Sequence, residues 1–146
     1  MMDIKKILIE ANRFSDDIKN VFIKEYDKIL SEHDFSTKQS VVLSILEKKQ
    51  KLNMNEVAEI IGGTPSAASQ FIRKLESKDY VVREVNKENR REVFVLLSEN
   101  GKKFFQEMNE IDEMVLEKYF MQLPEEDILK YHQILKDLHG IVTKGE

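Results

Sequence analysis

A short amphipathic segment, residues 64–77, carries an unusual polar face. Water-facing helices favour Lys and Glu, whereas this face combines small, amide and guanidinium side chains. On a helical wheel of about 100° per residue, it lies opposite an apolar side that must meet a core. The polar face consists of Ser66, Gln70, Arg73 and Ser77, flanked by Ala67, Ser69 and Lys74. The apolar side consists of Ala68, Phe71, Ile72 and Leu75.

These side-chain types can read the base edges of DNA. Gln can pair with the N6/N7 edge of adenine and Arg with the O6/N7 edge of guanine, while Ser and Ala can contact phosphate or a thymine methyl group. Short side chains at the N-terminal end would let the helix enter a major groove. The alternative is that Gln, Arg and Ser simply hydrate a surface helix, and the helix alone does not separate the two interpretations.

A basic turn follows this segment and favours the DNA interpretation. Two β-rich runs, Tyr80–Val85 and Glu92–Leu97, flank the polar stretch "NKENRR", which is typical of a hairpin. Arginine on such a tip suits phosphate contact or insertion into a narrow minor groove. The alternative is a solvated turn with weak pairs to Glu84, Glu88 or Glu92. The candidate DNA contacts at the tip are Lys87, Asn89, Arg90 and Arg91.

The remaining sequence predicts the elements that position these residues. Apolar steps of three and four predict one long helix over the first thirty residues, and Ser36 is a candidate cap of a second helix that runs through Val41, Val42, Ile45 and Leu46. Asn53 and Glu56 have capping-box spacing at a third helix, which ends at Gly62–Gly63. Thr64 and Pro65 begin the fourth helix, Ser98 caps a fifth, and "LPEED" begins a sixth.

This order, α–α–α–α–β–β–α–α, predicts a mainly α protein with a small β-hairpin. The third and fourth helices, joined by a Gly-containing turn and followed at once by the hairpin, make a winged helix-turn-helix. At 146 residues the chain is most simply one domain, 1–146. Within it, we assign 36–98 to the winged helix-turn-helix DNA-binding region and 1–33 and 101–146 to long dimerisation helices.

Charge is distributed unevenly along the chain. The net charge is −4, but residues 64–91 contain seven Lys/Arg and four acids, whereas residues 104–146 contain four Lys/Arg and ten acids. The local balances are therefore +3 and −6. A protein that meets phosphate with one face only is expected to have such a distribution.

Composition argues against several other functions. The chain has no cysteine, which excludes disulfides and thiolate chemistry. Of its three histidines, His132 and His139 could share a helix face, but two ligands do not make a metal site, so neither a metal nor a cofactor is expected. There is no phosphate loop, nucleophile motif or isolated acid–base pair, so an enzyme is not expected. The charged N-terminus is unlike a signal peptide, and we expect a cytoplasmic protein.

Two motifs resemble a known family. "PSAAS" opens the fourth helix, and "NRR", a hydrophobic strand and "SENG" follow in the hairpin region. They are similar to the Pro-Ser-x-x-Thr and the Asp-x-Arg…Leu-Thr-x-x-Gly patterns of the MarR family of bacterial transcription regulators. The element order agrees over nearly the whole chain. Asn89 replaces the usual Asp, which weakens any ion pair to a wing arginine, and Asp79 replaces a Gly that often ends the recognition helix.

The resemblance implies a homodimer whose terminal helices interlock, bound to double-stranded DNA at a pseudo-palindromic operator. It also implies a repressor that a small-molecule ligand releases from DNA. The ligand is unknown; Phe22, Tyr26 and His33 are candidates for lining its pocket, although aromatic residues at helical spacing are more often core. A winged helix that binds a protein partner, without sequence-specific DNA binding, remains the alternative.

Overall fold

The computed structural model describes residues 3–145, which are mostly helical. Seven α-helices and three short strands occur within this range, together with one 3-10 turn at Phe120–Gln122. The helices are α1 Ile4–Glu25, α2 Asp27–Glu32, α3 Thr37–Lys49, α4 Met54–Ile61, α5 Pro65–Ser77, α6 Glu99–Lys118 and α7 Glu125–Val142. The strands are β1 Leu52–Asn53, β2 Val81–Val85 and β3 Val93–Leu97.

The chain forms two compact units. Asp27–Met108 is one unit, which we call the winged-helix unit. The described residues up to Tyr26, together with those from Asn109 onwards, form the other, which we call the terminal-helix unit. None of the helices described between residues 3 and 145 is long and apolar enough to cross a membrane.

Local capping fixes the first helices of the winged-helix unit. The Ser36 hydroxyl accepts from the Gln39 N–H at 3.2 Å, while the Gln39 side chain accepts from the Ser36 N–H at 3.0 Å. Asn53 and Glu56 form the equivalent reciprocal pair at 2.8 and 3.2 Å. Both are capping boxes, which satisfy backbone donors that the first helical turn leaves free. The predicted caps of these two helices are therefore confirmed.

The three strands form an antiparallel sheet in the order β1-β3-β2. The β2–β3 hairpin pairs Val81 with Leu97 and Val85 with Val93, and Leu52 of β1 pairs with Val95. Because side chains alternate along a strand, Val81, Val95 and Leu97 all face the core of this unit. The core residues are Val42, Leu43, Leu46, Leu52, Val57, Ala58, Ala68, Ile72, Leu75, Tyr80, Val81, Val95 and Leu97.

The structure differs from the sequence-based expectation in two places. The long first helix is interrupted at Tyr26, so the predicted second to sixth helices are α3 to α7. β1 was not predicted, since it comprises two residues and exists only through its pairing with β3. On α3, Val42, Leu43 and Leu46 are buried, whereas Val41 is exposed.

In the terminal-helix unit, aromatic and polar contacts join α1 to the end of α6. Phe22 packs against Tyr119 and Phe120, with ring centroids 5.3 and 5.8 Å apart. The Tyr119 hydroxyl donates to Glu25 at 2.7 Å and the Lys118 ammonium lies 3.0 Å from the same carboxylate. These two hydrogen bonds, that of Tyr119 first, lower the pKa of Glu25.

Candidate nucleic-acid interface

The fourth predicted helix is α5, and its first turn is fixed locally. Gly62 ends α4 in the left-handed conformation, with φ of 67°, and the Gly63 N–H donates to the Ala58 carbonyl at 2.9 Å. Thr64 then accepts the Ala67 N–H at 3.1 Å, and Pro65 occupies the first helical position. Proline is tolerated there because its missing N–H would have no intrahelical partner. α4 and α5 thus form a helix-turn-helix with a tight glycine turn.

The two sides of α5 separate as predicted. Ala68, Ile72 and Leu75 are fully buried, and Phe71 packs against the same core. The opposite side is open to solvent, so its polar groups are available to a ligand. The predicted contact residues that are exposed on this helix are Ser66, Ala67, Gln70, Arg73 and Lys74.

Ser69 differs from the other predicted residues of α5. It is half-buried, and Arg83 of β2 donates to its carbonyl oxygen at 3.0 Å and to its hydroxyl at 3.4 Å. The Arg83 Nε also donates to Glu76 at 2.6 Å. Arg83 therefore fastens the first wing strand to two turns of α5. The sequence did not indicate this role, since nothing in the spacing of Ser69, Glu76 and Arg83 predicts that they meet.

The end of α5 tolerates Asp79 in place of glycine. Asp79 has φ of 63°, and the Tyr80 N–H donates to the Leu75 carbonyl at 3.0 Å. The buried Ser98 hydroxyl donates to the Asp79 carbonyl at 2.6 Å and accepts the Gly101 N–H at 3.0 Å. One hydroxyl thereby joins the end of α5 to the start of α6, and the predicted cap at Ser98 is confirmed.

Asparagines shape the wing tip between β2 and β3. Asn86 accepts the Glu88 N–H at 3.0 Å, and Asn89 accepts the Arg91 N–H at 3.2 Å. Glu92 accepts the Asn86 amide at 2.9 Å and the Asn53 amide at 3.4 Å. Side-chain turns of this kind are typical of Asn. Asn89 thus braces the backbone of a wing arginine, where the family pattern suggested an ion pair to its side chain.

The basic groups of the wing tip are free. Lys87, Asn89, Arg90 and Arg91 are exposed. No ion pair recorded between residues 3 and 145 includes Lys87, Arg90 or Arg91. The alternative of Arg–Glu pairs at the tip therefore receives no support from the described contacts. Beside the tip, a polar cavity of about 380 Å³ is lined by Asn53, Met54, Asn55, Asn89, Arg91, Glu92 and Val93.

Comparison with known proteins agrees with this geometry. Residues 35–93 match the MarR family. The HTH-type transcriptional regulator SarZ of Staphylococcus aureus is 29% identical over 123 residues, which cover 84% of this chain and 80% of SarZ. S. aureus MepR bound to ethidium bromide has a TM-score of 0.70 at 22% identity, covering 90% of this chain and 96% of MepR. A MepR mutant bound to oligodeoxyribonucleotide has a TM-score of 0.62 at 21% identity, covering 91% and 98%.

Proposed function

We propose that the chain, whose residues 35–93 match the MarR family, is a winged-helix transcription regulator of that family, and that it acts as a homodimeric repressor that a small ligand releases from a pseudo-palindromic operator. The family and its SarZ relatives are regulators and not enzymes, and DNA is the expected partner. Operator binding takes place where the chromosome lies, so a cytoplasmic location belongs to the same proposal.

The observation that carries the proposal is the exposed polar face of α5. Its residues have no place in the core, and it starts with small side chains that would allow close approach to a major groove. We propose that Gln70 and Arg73 read base edges, because amide and guanidinium groups can make bidentate base contacts. Ser66, Ala67, Ser69 and Lys74 are proposed to contact phosphates or thymine methyl groups. Ser69 would do so while its carbonyl stays bonded to Arg83.

The wing tip supports a second, less specific contact. Lys87, Arg90 and Arg91 are exposed cations on a short turn, and Asn89 holds the turn in shape. Such groups suit phosphate contact or a narrow minor groove, where the potential is most negative. Because the β2 side of the wing is tied to α5 through Arg83, we propose that wing and helix engage DNA as one body.

Dimerisation is supported by apolar surface on the terminal helices. Neither α1 nor α7 has a single buried residue. On α7, Ile134, Leu138 and Ile141 are 62%, 52% and 70% exposed, and they follow one side of the helix. Contiguous exposed apolar side chains mark interaction surfaces on soluble proteins, and a second copy of the same helices would cover them. A two-fold dimer would present two α5 helices about 10 base pairs apart.

Ligand release is supported by an apolar groove in the terminal-helix unit. It measures about 370 Å³ and is lined by Asp17, Ile18, Val21, Phe22, Tyr119, Phe120 and Leu123. Small-molecule sites are usually apolar and aromatic cavities of about 300–1,000 Å³. The single carboxylate, Asp17, would favour neutral or cationic ligands over anions. MepR, which has a similar fold, has been solved with the aromatic cation ethidium.

The deciding experiment is fluorescence anisotropy of the purified protein with a duplex from its own upstream intergenic region. Excess random-sequence competitor and two salt concentrations separate specific from electrostatic binding. We expect saturable binding at nanomolar protein, with two chains per duplex, that survives competitor and weakens with salt. If that duplex fails, genomic fragments are selected with the same protein. Failure to bind any DNA at low salt would contradict the proposal and favour the protein-interaction alternative.

A further inference from the structure

One histidine and two carboxylates, none of them a proposed DNA contact, converge in the winged-helix unit. Glu32 is the last residue of α2, His33 follows it, and Glu107 lies on α6. One ring nitrogen of His33 and one oxygen of each carboxylate all lie within 4.8 Å of one another. All three residues belong to Asp27–Met108, so the cluster lies inside a single compact unit.

The His33 ring is held in one orientation. Its Nδ1 lies 2.5 Å from the Tyr80 hydroxyl, which leaves Nε2 as the nitrogen available to a ligand. Phe35 stacks on the ring and Phe104 meets it edge-on, with centroids 6.0 and 4.8 Å away. In metal-binding histidines, the ring nitrogen that does not bind the metal usually makes a hydrogen bond, which fixes the orientation of the ring.

Space and charge at the cluster suit a cation. An adjoining cavity of about 220 Å³ is lined by Glu32, His33, Asn100, Lys103, Phe104 and Glu107. Within residues 3–145, neither Glu32 nor Glu107 takes part in an ion pair. Lys103 is the opposing charge in the lining, but it is exposed and pairs with neither carboxylate, so the two acids leave the lining with net negative charge.

We propose that Glu32, His33 and Glu107 bind one divalent first-row transition cation such as Zn²⁺, with water completing the coordination. Imidazole and carboxylate are ordinary ligands of such ions, and no thiolate is available to favour a softer one. Two ligand atoms on a tetrahedral Zn²⁺ lie about 3.4 Å apart at bond lengths of about 2.1 Å. The atoms here lie within 4.8 Å of one another, so the side chains must close by up to about 1.4 Å to bind the ion. The site departs from the expectation of no metal, which weighed His132 and His139 and could not foresee that His33 meets Glu107.

The test measures metal binding directly and needs no DNA. Full-length protein is stripped with a chelator and titrated with Co²⁺ alone, whose visible absorption reports coordination, and then with Zn²⁺ alone against a chromophoric chelator. We expect one ion per chain, with affinity at least about tenfold weaker in Glu107→Gln and lost in His33→Gln. Tyr80→Phe, which removes only the orienting hydroxyl, should weaken binding by about tenfold.

Matched controls make the result decisive. Glu110→Gln removes a carboxylate from the same helix, and the double variant His132→Gln/His139→Gln removes the surface histidines; both should bind as the wild type does. If His33→Gln does not fold, Glu107→Gln and Glu32→Gln carry the test. Three results would each overturn the proposal. They are a wild-type protein that shows no saturable metal binding, a Glu107→Gln variant that binds metal as tightly as the wild type, and a His132→Gln/His139→Gln variant that no longer binds metal.

Discussion

One arginine of the proposed reading helix and one of the wing tip are proposed to have separable tasks. Arg73 lies on the exposed side of α5, where a guanidinium can reach base edges, whereas Arg91 lies on the wing tip, where contact with the phosphate backbone is favoured. Base contacts carry sequence information and phosphate contacts do not. The two arginines should therefore respond differently to a change of DNA sequence and of salt.

We predict that Arg73→Ala weakens binding to the preferred operator by about 1–3 kcal/mol and binding to random DNA much less. Arg91→Ala should weaken binding to all sequences alike and reduce the slope of log K against log salt by about 1. Lys102→Ala, which removes an exposed cation at the start of α6, is the control and should change neither quantity. Anisotropy titrations at several salt concentrations measure the affinity and the salt slope. If Arg73→Ala weakens binding to operator and to random DNA equally, Arg73 is a phosphate contact only.

The phenol of Tyr26 provides a prediction on pH. Burial, and then the hydrogen bond it donates to Asp112, raises its pKa from 10.0 to about 12. Because the folded pKa lies above the unfolded one, the stabilising effect is complete below pH 10 and is lost between about pH 10 and 12. Tyr26→Phe should therefore lose stability less steeply over this range, by about 1–2 kcal/mol. Urea denaturation at pH 8 to 11.5 checks this, and parallel curves for the two proteins would contradict it.

At the scale of elements, capping signals were the most reliable part of the sequence. The caps at Ser36, Asn53, Thr64 and Ser98 were predicted because each depends on residues three apart or fewer. The break at Tyr26 was missed because apolar spacing continues across it and neither Gly nor Pro marks it. β1 and the contacts of Arg83 depend on residues that are distant in sequence, which periodicity does not report.

In the candidate site, too, local features could be predicted from the sequence and long-range contacts could not. The outward side of α5 and the basic tip could be predicted, since a helical wheel and a hairpin turn need only local sequence. The hydrogen bonds from Arg83 to Ser69, and from the Asn53 and Asn86 amides to Glu92, could not be predicted from the sequence. They determine how rigidly the predicted residues are held rather than which residues face solvent.

The join between α5 and α6 requires glycine at position 101. A Cβ added there would lie 2.3 Å from the Tyr80 carbonyl oxygen, a backbone atom that cannot move freely. We predict that Gly101→Ala destabilises the protein by about 1–3 kcal/mol through this clash. Gly140→Ala on α7, where a Cβ meets nothing within 4 Å in the chain, should be neutral or stabilising by up to about 1 kcal/mol. Thermal unfolding of both variants at equal concentration checks the contrast; equal midpoints would show that the helix start shifts to admit the methyl group.

The Arg83–Glu76 pair should couple β2 to α5 more strongly than an ordinary surface pair. Its side chains are 27% and 33% exposed, whereas those of the Lys130–Glu126 pair on α7 are 66% and 76% exposed. Double-mutant cycles with Arg83→Met and Glu76→Gln should give a coupling energy of about 1 kcal/mol, against about 0.3–0.5 kcal/mol for the exposed pair. The measurement is urea denaturation of each cycle. A coupling energy near zero for Arg83 and Glu76 would mean that the wing strand is held by packing alone.

At the scale of the whole molecule, the two units divide the proposed work between them. The winged-helix unit has a continuous buried core, which suits a rigid reading head. In the terminal-helix unit, neither α1 nor α7 has a buried residue, and both helices keep large apolar side chains exposed. An isolated amphipathic helix gains most of its stability from burying its apolar side. The second copy is thus part of what would stabilise this unit.

If the proposed dimer forms, we predict that Leu138→Glu, at the middle of the exposed stripe on α7, dissociates it and abolishes the proposed operator binding. An unpaired charge in a closed apolar interface costs about 3–5 kcal/mol, which corresponds to a dimer dissociation constant raised by about 100-fold or more. Val41→Glu is the control, because Val41 is also apolar and 45% exposed but lies on α3 of the winged-helix unit. Light scattering at micromolar protein should give the mass of two chains for the wild type and Val41→Glu and of one chain for Leu138→Glu. A single-chain mass for the wild type would remove the dimer from the proposed mechanism, and a two-chain mass for all three proteins would move the interface away from α7.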